Sequence, residues 1–155
     1  MKKVKNLNLR VGKYFKLEEF KVSQTYPELA KKIEFTELDV VKLKYFCATL
    51  LDPLRDVFGP IYILSGKRTP ELNEAVGGAR HSHHLYEGLN CAADFCLKDK
   101  KELWFCYQYI ILLFPYAFSQ CILYYKNGKP NFIHLSLNNG EEKLVKEVRG
   151  KTRKK

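Results

Sequence analysis

The composition of the chain is that of one folded domain. It has 155 residues, of which 46% are hydrophobic and 14% aromatic, which allows a sizeable core and excludes a disordered chain. The formal net charge of +10 indicates a polyanionic neighbour, which could be nucleic acid, anionic lipid or an anionic cell-wall polymer. Neither basic terminal run, at residues 1–5 or 149–155, interleaves aromatic residues for base stacking, so no specific nucleic-acid partner is expected.

The two ends of the chain differ from its middle. Basic runs at residues 1–14 and 141–155 predict flexible tails around one domain at residues 15–140. The N-terminal run lacks the apolar segment of a secretory signal, so we expect synthesis in the cytoplasm. The apolar stretch at residues 103–118 contains Gln108 and Pro115 and is too short to span a bilayer, which predicts a core helix and no transmembrane segment.

The cysteines form an odd set of five without a C-x-x-C pair. This pattern favours neither a disulfide framework nor a cysteine zinc site. We therefore predict buried free thiols at Cys47, Cys91, Cys96, Cys106 and Cys121.

The first half of the chain predicts mainly helix. A short element covers residues 15–20, and apolar residues near helical spacing predict a helix over residues 36–58. Thr36 is a favourable N-cap, and Gly59-Pro60 ends the helix. A short apolar strand follows at residues 61–64, and residues 70–76 predict one or two helical turns closed by Gly77-Gly78.

The second half predicts strands around one helix. Residues 91–97 alternate as a strand, and residues 100–114 predict a helix. Two further strands, at residues 118–125 and 131–137, flank Asn127-Gly128, a strong hairpin signal. This order predicts an α+β fold in which helices pack on a small, mostly antiparallel sheet.

Three residues stand out as candidate zinc ligands: His84 in a polar loop, Asp94 in the strand that follows, and His134 in the last strand. Two imidazoles and a carboxylate are a common hydrolytic set, since three protein ligands leave one tetrahedral position for water. Each residue taken alone has another interpretation. An isolated strand histidine is usually an ordinary half-buried residue, Asp94 could hydrogen-bond within the sheet, and Arg68 could be a surface ion-pair partner.

A set of short motifs extends these candidates along residues 15–137. The motifs are Phe15-x-Leu-x-Glu-Phe-x-x-Ser23, Leu51-Asp-Pro-Leu-Arg55, Ile63-Leu-Ser-Gly-Lys-Arg68, Leu72-Asn-Glu-Ala-Val-Gly-Gly-Ala79, Ser82-His-His84, Ala92-Ala-Asp-Phe95 and Phe132-Ile-His-Leu-Ser136. In this order they resemble the zinc D-Ala-D-Ala carboxypeptidases and phage L-alanyl-D-glutamate endopeptidases, which share a fold with the hedgehog signalling domain. The combination is specific, although each fragment alone is weak.

The resemblance implies a role for each matching residue. His84, Asp94 and His134 would bind one zinc ion, Arg68 would hold a carboxylate or carbonyl oxygen of the substrate, and Ser82 would contact substrate or support the first ligand. The implied activity is that of a zinc-dependent peptidase acting on the peptide stems of bacterial peptidoglycan. Such an enzyme, for example a phage or prophage endolysin, would act at the cell wall after release from the cytoplasm.

The chain departs from the family pattern in two places. His84 and Asp94 are ten positions apart, whereas the family spaces its first histidine and its aspartate more closely, so residues near Glu87 are extra. Positions that carry the general base in relatives hold Asn131 and Tyr124, and no Asp or Glu occurs in residues 107–139. An amide cannot act as a base.

These departures leave two interpretations open. Glu87, in the lengthened loop, is the candidate replacement base, with His83 as the second candidate, although Glu87 could equally be an exposed loop residue. Alternatively, the chain is a catalytically impaired domain of the same fold that binds cell-wall peptide or another partner.

Overall fold

The N-terminal half is mainly helical. The computed structural model describes residues 2–150, and its first half contains a 3-10 turn at Leu17–Phe20 and four short helices. The helices are α1 (Pro27–Ala30), α2 (Glu37–Phe46), α3 (Asp52–Phe58) and α4 (Pro70–Ala75). A π-helical turn, Cys47–Leu51, joins α2 to α3 without a break.

The sequence signals at the ends of this long helix act as predicted. Thr36 Oγ1 accepts a hydrogen bond from the Asp39 amide at 3.1 Å, and the Asp39 carboxylate accepts one from the Thr36 amide at 2.9 Å. This capping box satisfies two backbone donors at the start of α2. Gly59 ends α3 with a φ of 80°. The helix predicted over residues 36–58 is confirmed.

A mixed sheet of five strands is formed by the chain from residue 61 onward. The strands are β3 (Ile61–Ser65), β4 (Ala92–Leu97), β5 (Phe118–Lys126), β6 (Lys129–Leu137) and β7 (Leu144–Val148), in the order β3-β4-β6-β5-β7. All neighbours are antiparallel except β5 and β7. Asn127 and Gly128 join β5 to β6 with φ values of 53° and 74°, the left-handed conformation that a two-residue hairpin requires. The predicted α+β fold is confirmed.

The two faces of the sheet differ in character. Odd-numbered residues such as Phe95, Ile133 and Leu135 are fully buried in the core. Helix α5 (Leu103–Leu113) contributes Leu103, Cys106, Tyr107 and Ile110 to the same core. The opposite face carries Asp94 and His134, which are directly paired across β4 and β6. Period-two alternation therefore puts the chemically active side chains on one face.

Parts of both predicted tails are strands. β1 (Lys3–Val4) pairs with β2 (Phe35–Thr36), and β7 adds to the edge of the main sheet. These two strands form for one physical reason: backbone hydrogen bonds to a distant strand order a segment whose side chains are mostly exposed and charged. Residue 1 and residues 151–155, which carry the rest of the basic runs, lie outside the described residues.

Helix α5 packs on the core with one side only. Its outer side exposes apolar residues, among them Phe105 and Leu112. Among residues 2–150, no helix is long and apolar enough to cross a membrane.

Candidate metal centre

The three predicted ligands lie together on the polar face of the sheet. His84 is held in a short 3-10 turn, His83–Leu85, while Asp94 and His134 project from β4 and β6. His84 Nε2 lies 3.1 Å from Asp94 Oδ1 and 3.2 Å from His134 Nδ1. His134 Nδ1 lies 2.8 Å from Asp94 Oδ1. One atom of each side chain therefore points to a common centre.

The outer hydrogen bonds of the two imidazoles set their tautomers. His84 Nδ1 lies 2.7 Å from the carbonyl oxygen of Gly66, which can only accept, so Nδ1 carries the proton and Nε2 has a free lone pair. His134 Nε2 lies 2.7 Å from Gln120 Oε1, which in the same way leaves a lone pair on Nδ1. An imidazole that donates its outer N–H in this way is oriented as metal-bound histidines are.

This donor set fits a metal ion. Two nitrogen lone pairs and a carboxylate face one another without a proton between them, an arrangement that a cation stabilises. Ligand atoms at zinc bond lengths of about 2.0–2.1 Å in tetrahedral geometry are roughly 3.3 Å apart. The observed separations of 2.8–3.2 Å are close to that value. His84, Asp94 and His134 form a possible metal site.

The local electrostatics favour the protonation states that bind metal. Burial lowers the pKa of His84, an effect that Asp94 partly opposes, so the imidazole is neutral near pH 7. Burial alone would raise the pKa of Asp94, but the positive charge that His84 or His134 carries when protonated outweighs it and holds that pKa well below its ordinary value, and a bound cation would act in the same direction. Neutral imidazole and ionised carboxylate are the ligand forms that metals require.

Arg68 lies beside this cluster with its guanidinium fixed by three neighbours. Nη2 is 3.5 Å from Asp94 Oδ2, Nη1 donates to Asn73 Oδ1 at 3.2 Å, and Nε donates to Ser65 Oγ at 3.3 Å. Gly78 makes room for the Asn73 contact, because a Cβ at that position would lie 2.1 Å from Asn73 Oδ1. The side chain is 13% exposed and lines the same cavity as the ligands. It therefore faces any molecule that reaches the centre.

Ser82 supports the first ligand. Its hydroxyl accepts a hydrogen bond from the His84 amide at 3.2 Å and so caps the turn that carries His84. Ser82 also lines the cavity. No sequence pattern assigned a role to Asn73 or Gln120, since their contacts with Arg68 and His134 exist only in the folded chain.

The lengthened loop after His84 turns away from the centre. Its residues 87–90 form a turn closed by a hydrogen bond from the Asn90 amide to the Glu87 carbonyl at 2.8 Å. Lys42 of α2 donates to the carbonyl oxygens of Tyr86, Gly88 and Asn90 in this loop. The extra residues are thus accommodated against α2, and the ligand atoms still converge.

The loop places Glu87, the candidate replacement base, away from the centre. Glu87 is exposed and does not line the cavity, because the loop that carries it is attached to Lys42. His83, the second candidate, does line the cavity and is buried. Its Nε2 lies 3.2 Å from Glu141 Oε2, and its buried Nδ1 has no hydrogen-bond partner among the described residues.

The two positions that the resemblance aligns with the family's general base, Tyr124 and Asn131, differ in their relation to the cavity. Tyr124 lines the cavity and stacks on Phe132 with ring centroids 4.6 Å apart. Asn131 does not line it and accepts a hydrogen bond from Lys100 at 2.9 Å. The cavity has a volume of about 420 Å³, and Asp94 is the only carboxylate among the described residues that line it.

An α+β domain that gathers two imidazoles, a carboxylate and an arginine in one open cavity has the features of a metal-dependent hydrolase. A family model described as Peptidase M15 matches residues 13–136, a stretch that contains all four of these residues. The match covers most of the chain, which therefore belongs to the Peptidase M15 family. No curated protein and no solved structure matches the chain.

Proposed function

We propose that the protein is a zinc-dependent peptidase that hydrolyses the peptide stems of bacterial peptidoglycan. The observation that carries this proposal is the convergence of His84 Nε2, Asp94 Oδ1 and His134 Nδ1 in a chain of the Peptidase M15 family. One zinc ion held by these atoms supplies Lewis-acid polarisation of the peptide carbonyl and activation of water. Phage or prophage origin, and action at the wall after release from the cytoplasm, are part of the same proposal.

The residues around the centre have separate tasks in this proposal. Arg68 offers forked N–H donors to a substrate carboxylate or to the carbonyl oxygen as it becomes negative. Asn73 and Ser65 hold the guanidinium in position, so little side-chain entropy is lost when substrate binds. Gln120 and the Gly66 carbonyl keep the lone pairs of the two imidazoles directed at the centre.

One observation supports a second function. Asp94, a proposed ligand, is the only carboxylate among the described residues that line the cavity, so no carboxylate remains there to take a proton from water. General acid–base catalysis typically contributes about 10²–10⁴-fold in rate. The second candidate is therefore a domain that holds metal and binds cell-wall peptide without hydrolysing it.

Metal analysis and wall digestion test both candidates. We expect about one zinc ion per purified chain, and we expect His134→Ala to lose most of it. Equal zinc content in His84→Ala, Asp94→Asn and His134→Ala would exclude the proposed site. Zinc-loaded wild-type protein should release peptide fragments of defined mass from purified peptidoglycan, and Glu87→Gln should release them equally fast.

A gain-of-function variant separates the two candidates further. Tyr124→Glu introduces a carboxylate at a position that lines the cavity, whereas Tyr116→Glu, the matched control, introduces one at an exposed position outside this cavity and its neighbours. If the wild type releases no fragment and only Tyr124→Glu does, the chain is a binding domain that lacks a proton acceptor. Release by the wild type, at the same zinc occupancy, supports the peptidase.

A further inference from the structure

A second cleft lies at the hairpin end of the sheet. It has a volume of about 790 Å³, and Asn131 and four lysines contribute to its lining. The lysines are Lys100, Lys101, Lys126 and Lys129. Within residues 2–150, none of these four forms an ion pair with a carboxylate. We call this region the four-lysine cleft.

The positive charges of the cleft are held close together by the fold. Lys126 and Lys129 are directly opposite each other across the β5–β6 hairpin, a pairing that is unfavourable for like charges. The nearest acidic residues in sequence do not line the cleft: Asp99 uses its carboxylate to accept from the Lys101 amide at 3.0 Å, and Glu102 is exposed outside the cleft lining. An anion in the cleft would relieve this repulsion.

The four-lysine cleft is linked to the metal centre by a cavity that shares lining residues with both. A cavity of about 460 Å³ shares Lys100 and Asn131 with the cleft, and it shares Arg68 and Asp94 with the metal cavity. The three cavities therefore adjoin one another.

A β-bulge lies at the junction between the four-lysine cleft and the neighbouring cavity. Tyr124 pairs with Phe132 and Tyr125 pairs with Pro130, so Asn131 is an extra residue in β6. A bulge redirects the side chain of its extra residue, which here reaches Lys100. Asn131 precedes His134 by three positions, a distance of about 10 Å along a strand. The cleft thus begins about three extended peptide residues from the metal centre.

We propose that the four-lysine cleft binds an anionic group of the same substrate whose peptide bond lies at the metal centre. This inference rests on the proposed function and adds a second point of recognition to it. The ligand chemistry is an oxyanion, with two possible sources in a cell wall: a carboxylate of a peptide stem, or a phosphate of a phosphodiester polymer attached to the glycan. Lysine ammonium groups bind both as point charges.

The test compares two double variants of equal net charge. Lys126→Gln/Lys129→Gln removes two charges from the cleft, and Lys44→Gln/Lys146→Gln removes two exposed charges that line none of the three cavities. Binding of the full chain to sedimented walls is measured for three preparations: intact walls, walls stripped of phosphodiester polymers, and stripped walls with amidated carboxylates. Loss of two exposed ion pairs lowers affinity by roughly two- to thirty-fold. We expect this loss for the cleft variant and not for the control variant.

The three preparations identify the source of the anion. A selective loss that disappears on stripped walls assigns the cleft to phosphate, and one that persists until amidation assigns it to stem carboxylates. Equal losses in both double variants, or wild-type affinity of the cleft variant for every wall, overturn the proposal. Binding to duplex DNA is measured beside the walls. If the cleft variant loses affinity for DNA and for no wall preparation, the cleft is a nucleic-acid site and the proposal is overturned.

Fragment release, measured by mass in the same samples, keeps the two proposals apart. Selective wall binding without any fragment contradicts the peptidase and leaves the cleft assignment standing. Fragments released equally fast by both double variants, with equal affinities, contradict the cleft assignment and leave the peptidase standing.

Discussion

Lys42 Nζ donates a hydrogen bond to the carbonyl oxygen of Tyr86 at 2.6 Å and so connects helix α2 to the loop that follows the first ligand. The same ammonium donates to Gly88 and Asn90, each at 3.1 Å. The Lys42 side chain is only 5% exposed, and burial lowers its pKa, an effect that Asp39 partly opposes. A single buried cation therefore satisfies three carbonyl groups of the lengthened loop.

Replacement of Lys42 by methionine should destabilise the protein and weaken metal binding. The variant leaves three carbonyls without their donor, and we expect a loss of about 2–4 kcal/mol in the free energy of unfolding. Urea denaturation measures this loss, and competition with a chelator measures zinc affinity. Lys44→Met, an exposed change in the same helix, is the control. Equal behaviour of the two variants in both measurements would contradict the role of Lys42 in holding the loop.

Gly66→Ala should reduce metal affinity through the carbonyl that orients His84. A Cβ at Gly66 would lie 2.3 Å from the Phe20 carbonyl oxygen and 2.6 Å from its Cα, so the backbone at the end of β3 must move. The hydrogen bond from His84 Nδ1 depends on that backbone. Gly140→Ala is the control, since its φ of +87° is strained for alanine but nothing lies within 4 Å of the added Cβ. Both variants should lose about 1 kcal/mol or more of stability, and only Gly66→Ala should need more zinc for half-saturation.

Local sequence signals predicted most of the fold. Thr36 and Gly59 mark the ends of the long helix, and Asn127-Gly128 marks the hairpin, because each acts through backbone geometry within a few residues. Strand β7 was missed, since an exposed edge strand with Lys146 and Glu147 has no apolar alternation to reveal it.

Most of the candidate metal centre could also be predicted from the sequence. His84, Asp94 and His134 lie together, as the motif set indicated. The place of Glu87 outside the cavity could not be predicted, because the loop that carries it is held by Lys42, a residue far earlier in the chain that no local pattern connects to it. The four-lysine cleft could not be predicted for the same reason. Lys100 and Lys129 line it together only in the folded chain, and their separation in sequence does not indicate that they are close.

The buried thiols should make the protein less stable in alkaline solution. Burial raises the pKa of Cys91 and of Cys106 to about 12, and it also raises the pKa of Cys47 and Cys121. Unfolded thiols ionise near pH 8.5, roughly. Because the folded state keeps these thiols protonated, their stabilising effect is complete below the unfolded pKa and is lost as the pH rises toward the folded pKa. Each contributes up to about 1.4 kcal/mol per pH unit in that range.

Urea denaturation under reducing conditions, repeated from neutral pH to about pH 10, measures how the free energy of unfolding declines as the pH passes the unfolded thiol pKa. Cys121→Ala should unfold more easily at neutral pH and show a shallower decline with pH than the wild type. Cys96, the one partly exposed cysteine, should be the first to react with a thiol reagent in the folded protein. Parallel slopes for the wild type and Cys121→Ala would rule out the thiol as a cause.

Arg68→Lys should impair substrate use far more than metal binding. Lysine keeps the positive charge beside Asp94, so zinc affinity should change little, but it loses the forked donors and the contacts with Asn73 and Ser65 that hold the guanidinium. Loss of one bidentate, charge-assisted contact corresponds to about 1.5–3 kcal/mol, or roughly ten- to 150-fold in affinity or in kcat/KM. Binding of a peptide with a free carboxylate gives a readout that does not depend on turnover.

Asn73→Ala is the companion variant, because it keeps the guanidinium and removes one of its supports, and it should show a smaller loss of the same kind. If Arg68→Lys binds and cleaves the carboxylate peptide as the wild type does, while its amidated form behaves no differently, then Arg68 serves only to pair with Asp94.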